Sequence, residues 1–234
     1  MELNFNFSES LLRSWQQLLK NPAYIGVFVL SALVLSLMYV FYLLTLSLFI
    51  DSLSINVLMA IVFLAVYLFA CLVMQTGFCR IALHLAAGGS FSFSESKKFF
   101  WAPRLYIPYF VLSIIVALLV SVGLALLIIP GIYLAIKFYL MPYVYFDESE
   151  RGIFEVLERL WKISKGHFPG ILGFFLLAIV ASLLGFLLLG VGIFVTMPLY
   201  MILSARYYYA LIGKNPLDQQ NAIEPKLYDM HIVD

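Results

Sequence analysis

Residues 105–136 read LYIPYFVLSIIVALLVSVGLALLIIPGIYLAI and carry no charged side chain. One helical crossing of a bilayer core takes about 20 apolar residues. The run is too long for one crossing and too short for two, unless the second helix accepts a charge. Pro130-Gly131 supplies a corner, since proline removes a helix donor and glycine permits a tight turn. Residues 168–205 pose the same problem, with Gly190-Val191-Gly192 as the break. Residues 21–50 and 52–79 are also free of charge, and each fits one crossing.

Six transmembrane helices follow, at about 22–49, 55–79, 106–129, 131–147, 169–189 and 193–212, in one membrane domain with a tail at 213–234. The expected fold class is all-α, a polytopic membrane helix bundle of three hairpins with short interfacial amphipathic helices. The fourth span is the weakest, being short and holding Lys137 and Pro142; a re-entrant element is its alternative. Composition agrees. The 234 residues are 64% hydrophobic and only 12% charged, with mean hydropathy +1.01. Soluble domains average about 25% charged residues. A net charge of +1 gives no electrostatic case for nucleic acid.

Of fourteen Lys and Arg, all but Lys137 fall before the first span, in the two longer connections, or at the final helix end and tail. The three short turns hold no Lys or Arg. By the positive-inside rule both termini are cytoplasmic, which requires an even number of spans. Glu2, Glu9, Arg13 and Lys20 precede the first apolar run, so the N-terminal segment reads as retained rather than as a signal peptide.

The chain also repeats itself. Phe7-Ser8-Glu9-Ser10, Trp15 and Pro22 recur as Phe93-Ser94-Glu95-Ser96, Trp101 and Pro108 at a constant offset, with a looser third copy at Trp161 and Pro169. Each copy reads as a short cytoplasmic helix followed by a membrane hairpin. Leu11, Leu12, Trp15, Leu18 and Leu19 share one helical face, opposite Arg13, Gln16, Gln17 and Lys20. Ile153, Leu157, Leu160, Trp161 and Ser164 share another, with Glu155–Arg159 and Glu158–Lys162 paired on the wet side. Such helices lie in the interface with Trp15, Trp101 and Trp161 as anchors, or simply dock on the bundle.

No catalytic group emerges. His84, His167 and His231 are scattered, and no metal-ligand spacing exists. Cys71 and Cys79 are eight residues apart, too far along a helix for a disulfide. Asp147, Glu148 and Glu150 read as a solvated cluster, with cation binding as the lesser alternative. No cofactor is expected. The tyrosines near the inner surface, Tyr207-Tyr208-Tyr209 among them, read as an interfacial belt.

The candidate binding residues are three cations, Lys137, Arg206 and Arg80, for anionic lipid or pairing within the bundle. Lys137 is expected near mid-membrane, with freed carbonyls, Gln75, Thr76, Thr196 or a lipid phosphate as partners. For Arg80 and Arg206 the competing reading is snorkelling to the interface.

Residues 130–166 carry a resemblance. Pro130-Gly131-Ile132-Tyr133-Leu134 leads to Lys137, Pro142 and Asp147-Glu148. Then come Glu155-Val156-Leu157-Glu158-Arg159 and Trp161-Lys162-Ile163-Ser164-Lys165-Gly166, with Gly190-Val191-Gly192, Pro198 and Tyr208 beyond. This resembles the prokaryotic membrane proteins grouped with the membrane domain of glycerophosphoryl diester phosphodiesterase, and the related YciC-like inner-membrane proteins. Leu160 departs from the pattern, where relatives often carry serine. The resemblance implies a six-helix bundle in a prokaryotic cytoplasmic membrane, and little chemistry. The phosphodiesterase barrel is a separate domain of roughly 250 residues, for which this chain has no room. The expected role is non-enzymatic: an accessory, scaffold or lipid-associated bundle with membrane lipids as partners. A small transporter or channel is the alternative, and a membrane-embedded lipid enzyme a third.

Overall fold

The computed structural model describes residues 5–48, 53–147, 152–187 and 192–214. All regular structure among them is helical: α1 (Phe7–Lys20), α2 (Pro22–Leu48), α3 (Leu53–Ala86), a 3-10 turn (Phe93–Glu95), α4 (Ser96–Phe100), α5 (Pro103–Leu126), α6 (Ile128–Lys137), α7 (Met141–Asp147), α8 (Ile153–Ser164), α9 (Phe168–Leu187) and α10 (Ile193–Leu211). Five segments are long and apolar enough to cross a membrane: Pro22–Ser47, Asn56–Ala86, Pro103–Leu126, Ile128–Asp147 and Phe168–Leu187. The molecule is therefore a membrane protein. α10 falls short of that measure because Arg206 and three tyrosines occupy its last turns.

Several boundaries differ from the sequence expectation, each for a local reason. α3 runs to Ala86, beyond the expected end at 79, and ends where Gly88 adopts a left-handed φ of 92°. There the Gly88 and Gly89 amides bond the carbonyls of Leu85 and His84. The second of the three short corners lies at Leu127, in extended conformation, and not at Pro130-Gly131. Pro130 sits in the first turn of α6, where a helix needs no amide donor. Gly131 instead lets α6 close on α5: a Cβ there would lie 2.5 Å from the Leu124 nitrogen, and one on Gly123 would lie 2.9 Å from Gly131 Cα. The expected single helix 131–147 is two helices, broken at residues 138–140. The turns expected at Asp51 and at Gly190-Val191-Gly192 lie outside the described residues, except for Gly192, which precedes α10.

The core is concentrated at one end. α3 and α10 pack on each other and on α2, α7 and α9, burying Tyr24, Ile81, Leu85, Leu140, Tyr145 and Tyr209. Toward the opposite ends of α2, α3, α5 and α9, and at the start of α6, the apolar side chains are open, reaching 82% exposure at Ile129. Lipid tails are as apolar as leucine, so these surfaces need no protein partner.

The amphipathic helices gather at the buried end. α1 packs on α10, α2 and α3, and α8 on α6 and α7. The α1–α2 corner is tied down by Asn21: its Oδ1 accepts from the Phe91 amide at 2.7 Å and its Nδ2 donates to the Gln17 carbonyl at 2.8 Å. Gln17 in turn donates to the Gly89 carbonyl at 2.7 Å. The repeat is uneven. Its second copy forms only the 3-10 turn and the five-residue α4, Trp101 follows α4, and Pro108 lies inside α5 where Pro22 begins α2. The looser third copy is the better structural match, since Trp161 lies on the twelve-residue α8 and Pro169 in the first turn of α9.

Candidate functional site

α1 and α8 share a three-faced plan. On α1 the buried residues are Ser14 and Leu18, while Leu12, Trp15 and Leu19 are exposed. At 100° per residue the buried face stands about a quarter turn from the centre of the apolar face. The polar face of Arg13, Gln16 and Lys20 continues in the other direction. α8 repeats this: Val156, Leu160, Ile163 and Ser164 face the protein, Phe154 and Trp161 are exposed, and Glu155, Glu158 and Lys162 form the polar side. The expected apolar face of α8 is thus rotated, with Trp161 at its rim. Lys162 bonds Glu158 at 2.5 Å and holds its carboxyl below the usual range. Trp15 is 40% and Trp161 46% exposed, and Trp101 is open as well.

The three candidate cations have three different environments. Lys137 ends α6 and is only 5% exposed. Its Nζ lies 3.3 Å from the centroid of the Trp161 ring and 4.8 Å from that of Tyr133. Two π faces thus stand where no carboxylate does, an interaction worth about 2 kcal/mol when desolvated. The Ser164 hydroxyl lies 3.0 Å from the Lys137 carbonyl and 2.7 Å from that of Leu160, joining the two helices again. Lys137 therefore shares the level of the amphipathic helix α8, and is not isolated within a continuous span. Its expected polar partners are elsewhere: Thr76 bonds the Leu72 carbonyl, and Thr196 lies beside Gly185.

Arg80 also points inward and does not snorkel. It is buried in α3, and its Nη1 donates to the Phe99 carbonyl at 2.6 Å, capping the end of α4. Arg206 is different. It is half-buried on α10, its Nε is enclosed without an acceptor, and it makes no hydrogen bond or ion pair among the described residues. A second cation, Arg13 on α1, acts on it and is itself paired with Glu9. Of the three, Arg206 alone has no hydrogen-bond, ion-pair or aromatic partner among the described residues.

Asp147 was expected in a solvated cluster. It is 8% exposed, accepts from the Tyr208 hydroxyl at 2.9 Å and pairs with Lys214 Nζ at 2.9 Å. The residue ends α7 against α10, so the chain reversal buries it; Glu148 and Glu150 lie outside the described residues. Sequence reading missed this clasp because Tyr208 and Lys214 are distant in the chain. Among the described residues no three His, Cys, Asp or Glu side chains gather to hold a metal, and Cys71 and Cys79 are free thiols. No family model matches the chain, and no curated protein or solved structure matches it.

Proposed function

We propose that the chain is a non-enzymatic, six-span bundle of the prokaryotic cytoplasmic membrane, with both termini cytoplasmic, that associates with anionic phospholipid. α10 serves as the sixth span, with its arginine and tyrosines at the inner surface. The carrying observation is the three-faced plan of α1 and α8. A helix that merely docks keeps its large apolar side chains against the protein; these two bury some and leave others open, Leu12, Trp15 and Leu19 on α1 and Phe154 and Trp161 on α8, as a helix seated in a lipid interface requires. The distribution of Lys and Arg supports the inner surface as that interface. Arg206 forms the headgroup contact with Arg13 beside it, because the half-buried Arg206 guanidinium has no anion among the described residues while Arg13 already pairs with Glu9. The resemblance to the YciC-like proteins is part of this proposal.

The test is lipid retention. Protein in nanodiscs of mixed phosphatidylglycerol and phosphatidylcholine is extracted and its bound lipid counted by native mass spectrometry. Arg206→Gln lowers phosphatidylglycerol retention several-fold, whereas Lys137→Met leaves it unchanged. Equal retention by the parent and Arg206→Gln overturns the headgroup assignment.

A further inference from the structure

A lateral cleft of about 560 Å³ opens between α2, α3, α7 and α10. Its size falls within the range of small-molecule sites, about 300–1,000 Å³. Its walls are apolar and adaptable, with Met74, Met197 and Met201 beside Phe28 and Phe78. The slot is elongated along the helices. On α3 its lining runs from Cys71 to Cys79, about 12 Å of helix rise, and on α2 from Phe28 to Leu35, about 10 Å.

One group in this lining is out of place. Gln75 is exposed on an apolar span and makes no hydrogen bond among the described residues. The other polar groups of the cleft are satisfied: Tyr139 meets the Ser204 hydroxyl at 3.3 Å, Tyr143 donates to the Met201 carbonyl at 3.3 Å, and Tyr200 to the Phe174 carbonyl at 3.1 Å. An amide facing hydrocarbon without a partner costs several kcal/mol. Its level narrows the partner. Gln75 is about 7.5 Å of rise from Arg80, and Tyr139 and Pro142 follow directly on Lys137, which rests on Trp161. The amide thus lies just inside the interfacial level, where a phospholipid carries its ester carbonyls.

We infer that the cleft holds one acyl chain of an inner-leaflet phospholipid, with Gln75 Nε2 donating to its ester carbonyl. This rests on the reading of the chain as lipid-associated, but not on the headgroup contact. The slot recognises a chain and a neutral carbonyl, which zwitterionic and anionic lipids share; Arg206 distinguishes between them.

The test uses phosphatidylcholine and phosphatidylglycerol carrying a diazirine in one acyl chain, each incorporated into vesicles with the full chain. After irradiation, adducts are mapped by peptide mass spectrometry. Both probes label the peptides of Met74 and Met197–Met201 above the lipid-facing background of Leu183 and Leu187. Gln75→Leu lowers that enrichment several-fold while the melting temperature holds, and Met197→Trp, which fills the slot, removes it. Labelling with no enrichment at the cleft overturns the proposal, as does enrichment unchanged in Gln75→Leu. If the two probes label the cleft equally while Arg206→Gln changes nothing in lipid retention, the slot stands and the headgroup contact fails. If only retention responds, the reverse holds.

Discussion

The Lys137 ammonium lies 3.3 Å from the centre of the Trp161 ring, so a cation at the end of α6 is held by an aromatic side chain from the amphipathic helix α8. This contact fixes α6 to α8. It is also the contact on which Lys137 as a lipid ligand and Lys137 as a structural pin part company.

If Lys137 is a pin, its substitution and that of Trp161 are coupled. Lys137→Met and Trp161→Leu each lower stability in detergent, and the double variant loses less than the sum by about 1–2 kcal/mol. Additive losses would show that the two side chains act independently. Lys137→Arg is an imperfect replacement, since a planar guanidinium differs in shape from the ammonium that fits between Trp161 and Tyr133.

The Asp147 clasp is expected to be structural. Asp147→Ala removes a buried acceptor shared by the Tyr208 hydroxyl and the Lys214 ammonium, at a cost of about 1–3 kcal/mol. Tyr208→Phe removes one hydrogen bond and costs about 1 kcal/mol. Thermal unfolding of the two variants in the same detergent gives the order; an Asp147→Ala protein as stable as the parent would place the carboxylate in water.

Close helix approach makes Gly131 and Gly185 hard to replace: a Cβ at Gly131 would lie 2.5 Å from the Leu124 nitrogen. A Cβ at Gly185 would lie 2.9 Å from Ile193 Cα, as close as the Gly123–Gly131 approach. Valine at either position forces backbones apart and costs about 1–3 kcal/mol. At Gly173, where nothing lies within 4 Å of an added Cβ, alanine is neutral or mildly stabilising. Melting temperatures of the set that failed to separate Gly173→Ala from the two valine variants would contradict the packing.

For topology, single cysteines at Ser52, Ile129 and Gly192, in a background lacking Cys71 and Cys79, react with an impermeant maleimide added to whole cells. A cysteine at Lys226 reacts only after lysis. Ile129 serves better than Gly131, which is packed against Leu124. Labelling of Lys226→Cys in intact cells would invert the orientation.

Most of the all-helical membrane architecture was legible in the sequence because the absence of charge over about 20 residues is a direct signal for a lipid solvent. The breaks were less so. Pro130-Gly131 reads as a corner in one dimension, but proline is tolerated in the first turn of a helix, so the reversal fell three residues earlier, at Leu127. The break at residues 138–140 carries no glycine, and Pro142 lies just beyond it. Lys137 stands out in the sequence as a cation in an apolar run, but its aromatic partner does not, since only packing brings Trp161 over it. Asp147 and Gln75 show the same limit: which polar side chain is satisfied depends on residues distant in the chain.

The account rests on α1 and α8 being seated in the membrane surface, and tryptophan depth measures that directly. Variants keeping only Trp15 or only Trp161 are reconstituted in vesicles whose lipids carry bromine at a shallow or a deep acyl position. Quenching stronger from the shallow position for both residues, with little access to aqueous iodide, is the result expected. Strong iodide quenching with no response to either brominated lipid would place both helices in water and contradict the account.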